Sequence, residues 1–309
     1  MLRSVKARAR GFLSRITASR SYRIETELFE IKNYIQHVGS MVENTAINTK
    51  GGLETVLQEA IAETIARSLA AEARCAQDGN SGAITTPASL PERTWAWALN
   101  EARRDFPRQF ADWRERLEAM ENAAAITLVG NFANPSDIYS LAFRNFVNIN
   151  ATGSILDLGC GNMGRPIYLC DLPEQRLWGL EPLAIKKPMR MQVTQGIGEY
   201  LPWRDKSFDT LISATSVDHA LSLDRSLAEI ERVLAPHGRV LMWVGSLPGA
   251  KKFTPEAADY VPADRFHLFH IDRTWFEPLL LERFDILDRI VMWRQSHEHV
   301  FYKLQSRSQ

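Results

Sequence analysis

The stretch Ser154-Ile-Leu-Asp-Leu-Gly-Cys-Gly-Asn-Met-Gly-Arg-Pro166 decides the fold. A short apolar run carrying one acid leads into closely spaced glycines. That pattern predicts a buried strand ending in a tight turn, with a helix starting just after. Such a turn lets the backbone approach a ligand closely. Read literally, Gly159-Cys-Gly161-Asn-Met-Gly164 satisfies G-x-G-x-x-G, and Glu181 lies twenty residues beyond Gly161, as in a dinucleotide-binding unit. The surrounding residues decide whether a dinucleotide fits.

Three features argue against it. Asp157 stands two residues before the first glycine, where its carboxylate would face a pyrophosphate and repel it. Pro166 follows the third glycine closely and supplies no N–H to a phosphate. The chain also ends in two strand-like runs with only a few residues between them, about Gln295 to Glu298. So short a connection demands an antiparallel hairpin, since a parallel crossover needs about a dozen residues or more.

Outward from the glycines, strands are predicted at 154–159, 177–182, 191–198, 208–214, 239–245, 284–293 and 299–305. Most gaps among the first five have room for a helix, whereas 199–207 reads as a loop. The expected fold is α/β: a Rossmann-like, mostly parallel seven-stranded sheet with a C-terminal antiparallel hairpin, preceded by a helical N-terminal region. Domain boundaries follow: a basic amphipathic tail (1–23), a helical or coiled-coil region (24–75), a linker (76–94), a helical segment covering the core (95–150) and the main domain (151–309).

The N-terminal third has its own patterns. Residues 1–23 hold Arg3, Lys6, Arg8, Arg10, Arg15, Arg20 and Arg23 and no acid. Leu2, Val5, Ala9, Phe12, Leu13 and Ile16 fall within a helical arc of roughly 100°, an ordinary apolar face. A peripheral contact with an anionic membrane surface is one expectation. A plain basic tail and a transit segment are the competing readings. Ile24, Leu28, Ile31, Ile35, Val38, Val42 and Thr45 step alternately by four and three, the a/d seam of a coiled coil. Self-association through 24–45 is the corresponding expectation. The aromatic stripe from Trp95 to Met120 is read as core.

Bulk composition sets few limits. The chain has 309 residues, 45% hydrophobic and 24% charged, with a formal net charge of zero. No global field selects for nucleic acid. Cys75, Cys160 and Cys170 are an odd count without paired spacing, which suggests a reducing, cytoplasmic setting, at most associated with the inner membrane face. Cys160, inside the turn, is read as a small filler.

At this point the chain resembles the class I S-adenosylmethionine-dependent methyltransferases of the small-molecule group. Ile155-Leu-Asp-Leu-Gly-Cys-Gly161 is similar to their first motif, and Leu177-Trp-Gly-Leu-Glu-Pro182 to their second. Glu199-Tyr-Leu-Pro-Trp-Arg-Asp-Lys-Ser-Phe-Asp209 and Ile230-Glu-Arg-Val-Leu-Ala-Pro-His-Gly-Arg-Val240 match two later segments in order. The resemblance covers 151–309 and leaves out 1–133. It implies S-adenosylmethionine as cofactor. Gly159 and Gly161 would pass its methionine and ribose portions, Asp157 would receive the α-amino group directly or through water, and Glu181 would accept the ribose hydroxyls. Many relatives carry an Asp where this chain has Ile197, so adenine contacts pass to the backbone near Gly198 and Glu199.

The acceptor should face the end of the fourth strand, Ser213-Ala-Thr-Ser-Val-Asp-His219. His219 is the general-base candidate, because its reference pKa lies near neutrality. Asp218 would orient it or cap the helix at 221–233. A late cluster, Asp264, His267, His270, His297 and His299, offers metal-ligand types, but packing or substrate contact is preferred and no metal is assigned. The stretch Cys160 to Leu169 and the late His-x-x-His resemble methyltransferases of bacterial polysaccharide pathways. The expected activity is O-methylation of a small hydroxylated acceptor, a saccharide or glycan precursor. The alternatives are a non-catalytic binding or scaffold module and an N- or C-methyltransferase.

Overall fold

The computed structural model describes residues 86–126, 138–162, 164–294 and 297–307. The expectations for the basic tail and the helical or coiled-coil region lie outside the described residues. Among the described residues no helix is long and apolar enough to cross a membrane.

Seven strands form one sheet: β1 (Ile155–Leu158), β2 (Leu177–Glu181), β3 (Gln192–Gln195), β4 (Phe208–Ala214), β5 (Leu234–Ser246), β6 (Phe284–Arg294) and β7 (His297–Ser306). Their order is β3-β2-β1-β4-β5-β7-β6. The first five strands are parallel. β7 inserts antiparallel between β5 and β6. This is the Rossmann-like sheet with an antiparallel end that the sequence pattern predicts. The order reverses between β1 and β4, which opens a crevice beyond their carboxyl ends.

Side chains alternate across the sheet with the period of two that strands impose. Val240, Met242 and Val244 of β5 face one apolar layer, and Leu241 and Trp243 face the other. The first layer is covered by α1 (Trp95–Asp105), α2 (Pro107–Ile126), α4 (Leu223–Val233) and α5 (Arg273–Leu281). The second is covered by α3 (Ile138–Asn150), which buries Phe143, Phe146 and Val147 against Tyr168, Leu169 and Phe301. Local caps fix the helix starts: Thr94 accepts from Trp97 N at 3.2 Å, Ser222 from Arg225 N at 3.3 Å, and Asp272 from Thr274 N at 2.8 Å.

The structure corrects the sequence reading twice. Among the described residues no α-helix follows the glycine turn. The described residues of 159–176 hold two 3₁₀ turns, Ile167–Leu169 and Glu174–Arg176. Pro166 and Pro173 stand extended immediately before them, with ψ of 145° and 131°. Proline also pushes the residue before it out of the helical region. The layer that a crossover helix would fill is occupied instead by α3. Second, part of the stretch expected to be a linker is docked. Ser89 bridges Trp203, Leu90 N donates to Pro202 O at 2.8 Å, and Arg93 reaches Glu229 at 2.7 Å. Residues 86–94 therefore strap onto the main domain. The aromatic stripe is core, as expected: Phe110, Trp113 and Leu117 are buried in the first layer.

Candidate active site

The glycine turn closes β1 onto β2. Gly159 N and Cys160 N both donate to Leu180 O, at 2.8 and 3.2 Å. Gly159 and Gly161 both have φ of +73°, where a side chain costs about 1–2 kcal/mol. Their surroundings differ. A Cβ on Gly159 would lie 2.4 Å from the Ser216 Cβ, so this glycine admits the loop after β4. A Cβ on Gly161 or Gly164 would meet nothing within 4 Å. The turn therefore has one open side, at Gly161 and Gly164.

Two buried carboxylates lie at this turn. Glu181, ending β2, accepts from Gly161 N at 2.7 Å and from Leu183 N at 3.1 Å, one bond to each oxygen. Each oxygen keeps a second lone pair. Burial pushes its pKa up to about 7, against the pull of those two N–H groups. Asp157 sits inside β1 and accepts from the Tyr168 hydroxyl at 3.0 and 3.2 Å. Burial pushes it up to about 8, with the Glu181 charge adding to the effect. Cys160 is buried, and burial beside these carboxylates raises its thiol well above the ordinary value. It is a protonated filler.

The side chains around the backbone expected near adenine serve the fold. Glu199 is buried and its carboxylate accepts from Leu221 N at 2.6 Å and Ser222 N at 3.0 Å, joining the turn after β3 to the start of α4. Its carbonyl takes the Arg225 guanidinium at 3.3 Å. The Glu199 side chain thus serves the fold. Gly198 packs against Ser226 and Leu158, and Ile197 is core.

The acceptor side gathers residues distant in sequence. Ser216 Oγ donates to Leu158 O at 2.5 Å, which seats the loop after β4 beside the glycine turn. His219 follows on a short 3₁₀ turn, Val217–His219. Its ring stacks on His267 at 4.4 Å between centroids. The Nδ1 of His219 lies 3.2 Å from Phe266 O. The Nδ1 of His267 lies 3.0 Å from both oxygens of Asp264. His270 Nε2 is 3.3 Å from Asp264, and His267 Nε2 is 3.9 Å from Asp218. Burial lowers the His219 pKa, with the His267 imidazole adding to it and Asp218 opposing, so the ring stays neutral. Asp218 does not cap α4; Ser222 does. His297 and His299 lie apart from this group on β7, where His299 packs against Tyr139 and Trp243.

Helix α2 holds both loops by their carbonyls. Trp113 Nε1 donates to His219 O at 3.1 Å, Gln109 to Leu221 O at 3.2 Å and Arg116 to His267 O at 3.3 Å. Sequence reading missed these three residues, together with Tyr168 and Ser216. Trp113 carries no signal beyond an apolar stripe.

The turn fits S-adenosylmethionine at its amino-acid and ribose portions. The open faces of Gly161 and Gly164 make room for it, Glu181 keeps acceptor capacity for a diol, and two buried carboxylates suit a ligand with an ammonium and a sulfonium.

Known proteins match the same region. Residues 156–242 match the methyltransferase domain family. A glycine/sarcosine/dimethylglycine N-methyltransferase of Actinopolyspora halophila is 34% identical over 107 residues, which is 31% of this chain and 19% of that protein. The match thus spans about a fifth of the relative's length. Among solved structures, a Burkholderia thailandensis 1,6-didemethyltoxoflavin-N1-methyltransferase is 15% identical, with 65% of this chain and 90% of that chain covered and a TM-score of 0.49. A SAM-dependent methyltransferase of Thermotoga maritima is 17% identical, with 62% and 98% covered and a TM-score of 0.42. Residues 156–242 are thus similar to the methyltransferase domain family, and the sheet order is that of a Rossmann-like methyltransferase fold.

Proposed function

We propose that the chain is an S-adenosylmethionine-dependent methyltransferase that acts on a hydroxyl of a small acceptor, a saccharide or glycan precursor. One observation carries this reading. The open glycine face with its two buried carboxylates and the imidazole–carboxylate group both lie beyond the carboxyl ends of the central strands, joined by the Ser216–Leu158 bond.

Gly161, Glu181 and Asp157 would hold the cofactor's methionine and ribose portions. When bound, the cofactor supplies a methyl group on a cationic sulfur, which leaves as a neutral thioether while the acceptor oxygen gains the carbon and loses its proton. The chain's own task is alignment and removal of that proton. The group formed by Asp218, His219 and His267 lies where an acceptor would enter, and its polar atoms suit a hydroxyl. The resemblance to polysaccharide-pathway methyltransferases supports a sugar. A peripheral membrane contact through 1–23 and self-association through 24–45 belong to the same proposal.

The N-methyltransferase relative favours a second reading, transfer to a small amine. Calorimetry of the full chain with S-adenosylhomocysteine comes first, and absence of binding ends both readings. Labelled methyl transfer to free sugars and sugar nucleotides, compared with glycine and primary amines, then separates them. Label in the sugars only supports the first.

A further inference from the structure

We infer that Asp218, His219 and His267 form a binding site for one divalent first-row transition-metal ion. The inference concerns the acceptor side of the site proposed above and rests on that reading only for the ion's use.

The geometry of the two rings carries it. Phe266 O can only accept, so the proton of His219 sits on Nδ1 and the Nε2 lone pair is left available. Asp264 likewise fixes the proton of His267 on Nδ1 and leaves its Nε2 lone pair available. Metal-bound imidazoles are oriented in this manner: one nitrogen donates to a carboxylate or a carbonyl and the other meets the ion. The third group is Asp218, whose Oδ1 is buried with no hydrogen-bond partner. An orphaned buried oxygen is destabilising, and a cation would remove that cost.

The ligand atoms of these three residues lie within 4.8 Å of one another. Nitrogen and oxygen ligands about 2.0–2.2 Å from a zinc ion stand roughly 3.5 Å apart, so on binding the cluster closes by about 1 Å and the His219 and His267 rings, stacked with 19° between their planes, tilt until their Nε2 lone pairs converge. Asp264, His267 and His270 are also close together. There, however, the carboxylate already accepts from Phe266 N and His267 N, at 2.7 and 2.8 Å. Against the penalty of burial, those N–H groups and the His267 imidazole hold Asp264 below the usual carboxylate range. It is a satisfied positioning group for His267.

Two imidazoles and one carboxylate leave open positions on the ion. An acceptor hydroxyl bound there would have its pKa lowered, so the ion would promote loss of the proton and His219 would serve as ligand instead of base.

The test is titration of the metal-stripped full chain with Co²⁺, followed by its visible d–d bands, with Zn²⁺ as competitor. One equivalent of Co²⁺ should bind and be displaced by Zn²⁺. Asp218→Asn, which keeps shape, and His267→Ala should each abolish the bands, with circular dichroism confirming the fold. Asp264→Asn should weaken binding about 10- to 100-fold. His297→Gln should leave it unchanged. No bands with the parent chain, or bands that survive Asp218→Asn, would overturn the assignment. Calorimetry with S-adenosylhomocysteine on the same samples separates the two readings. Homocysteine-ligand binding without Co²⁺ bands sinks only the metal site, and bands without ligand binding sink only the proposed function.

Discussion

The two halves of the candidate site are held together in opposite ways. The cofactor side is made by backbone: strand ends, two glycines at φ of +73°, and N–H groups twenty residues or fewer from Glu181. The acceptor side is made by side chains that reach across the fold. Trp113 and Arg116 on α2 hold carbonyls 106 and 151 residues away. Backbone geometry is written locally in glycine spacing, whereas the acceptor side exists only once α2 has packed. The first half should therefore fail abruptly when one local residue changes, and the second should loosen by degrees.

The strongest way to break this contrast lies within the turn. Gly159→Ala places a Cβ 2.4 Å from Ser216 Cβ at a positive φ. Strain plus overpacking should cost about 2–5 kcal/mol of stability, read from chemical denaturation. Gly161→Ala meets open space and should cost about 1–2 kcal/mol, for strain alone. It should nevertheless weaken S-adenosylhomocysteine binding, because the added methyl group enters the cradle. Equal destabilisation by both would mean that the turn is a packing device with no ligand face.

Glu181→Gln sharpens the same contrast. It keeps the shape but turns one acceptor oxygen into a donor facing Gly161 N or Leu183 N. Hydrogen bonds to a charged group contribute about 1.5–3 kcal/mol, so S-adenosylhomocysteine affinity should fall about 10- to 100-fold by calorimetry. Unchanged affinity would remove Glu181 from the site.

The legible part of the molecule follows this division. All seven strands and the hairpin end could be read because alternation and short connections are local. The tight glycine turn could be read too, with Glu181 beside it, because its glycine spacing is local. The crossover after the glycines was misread as helical because the motif pattern hid the effect of Pro166 and Pro173. The structural role of the Glu199 carboxylate was not legible, because its partners, Leu221 N and Ser222 N, lie across a whole strand. The pairing of His219 with His267 spans two loops, so each histidine was visible but their stacking was not.

Proton linkage gives a smaller effect on the cofactor side. Burial raises Asp157 to about 8 and Glu181 to about 7, from ordinary values of 3.8 and 4.5. In the ligand-free fold both groups hold protons that the unfolded chain would release. Their contribution to stability is complete below the unfolded values and is lost as pH rises through 7 and 8. A cationic ammonium favours the ionised carboxylates, so binding has the opposite slope and releases protons. S-adenosylhomocysteine affinity should rise about tenfold from pH 6 to pH 8 through Glu181 alone, and further where Asp157 ionises as well. Calorimetry in buffers of different ionisation heat should show net proton release near pH 7, reduced in Glu181→Gln. Affinity independent of pH, with no proton release, would place the cationic end of the ligand away from both carboxylates.

The smallest effect belongs to the acceptor side. Trp113→Phe keeps an aromatic ring in the first layer but removes the Nε1 donor that holds His219 O. A neutral hydrogen bond contributes about 1 kcal/mol, so the loop carrying Asp218 and His219 loosens without coming undone. The methyl-transfer rate should fall about fivefold, or the acceptor KM rise by as much, with S-adenosylhomocysteine affinity unchanged. Because Arg116 and Gln109 hold neighbouring carbonyls from the same helix, the three contacts share the load and no single one should be decisive. A loss of cofactor affinity in Trp113→Phe, equal to the loss in activity, would show that α2 supports both halves and would erase the distinction between them.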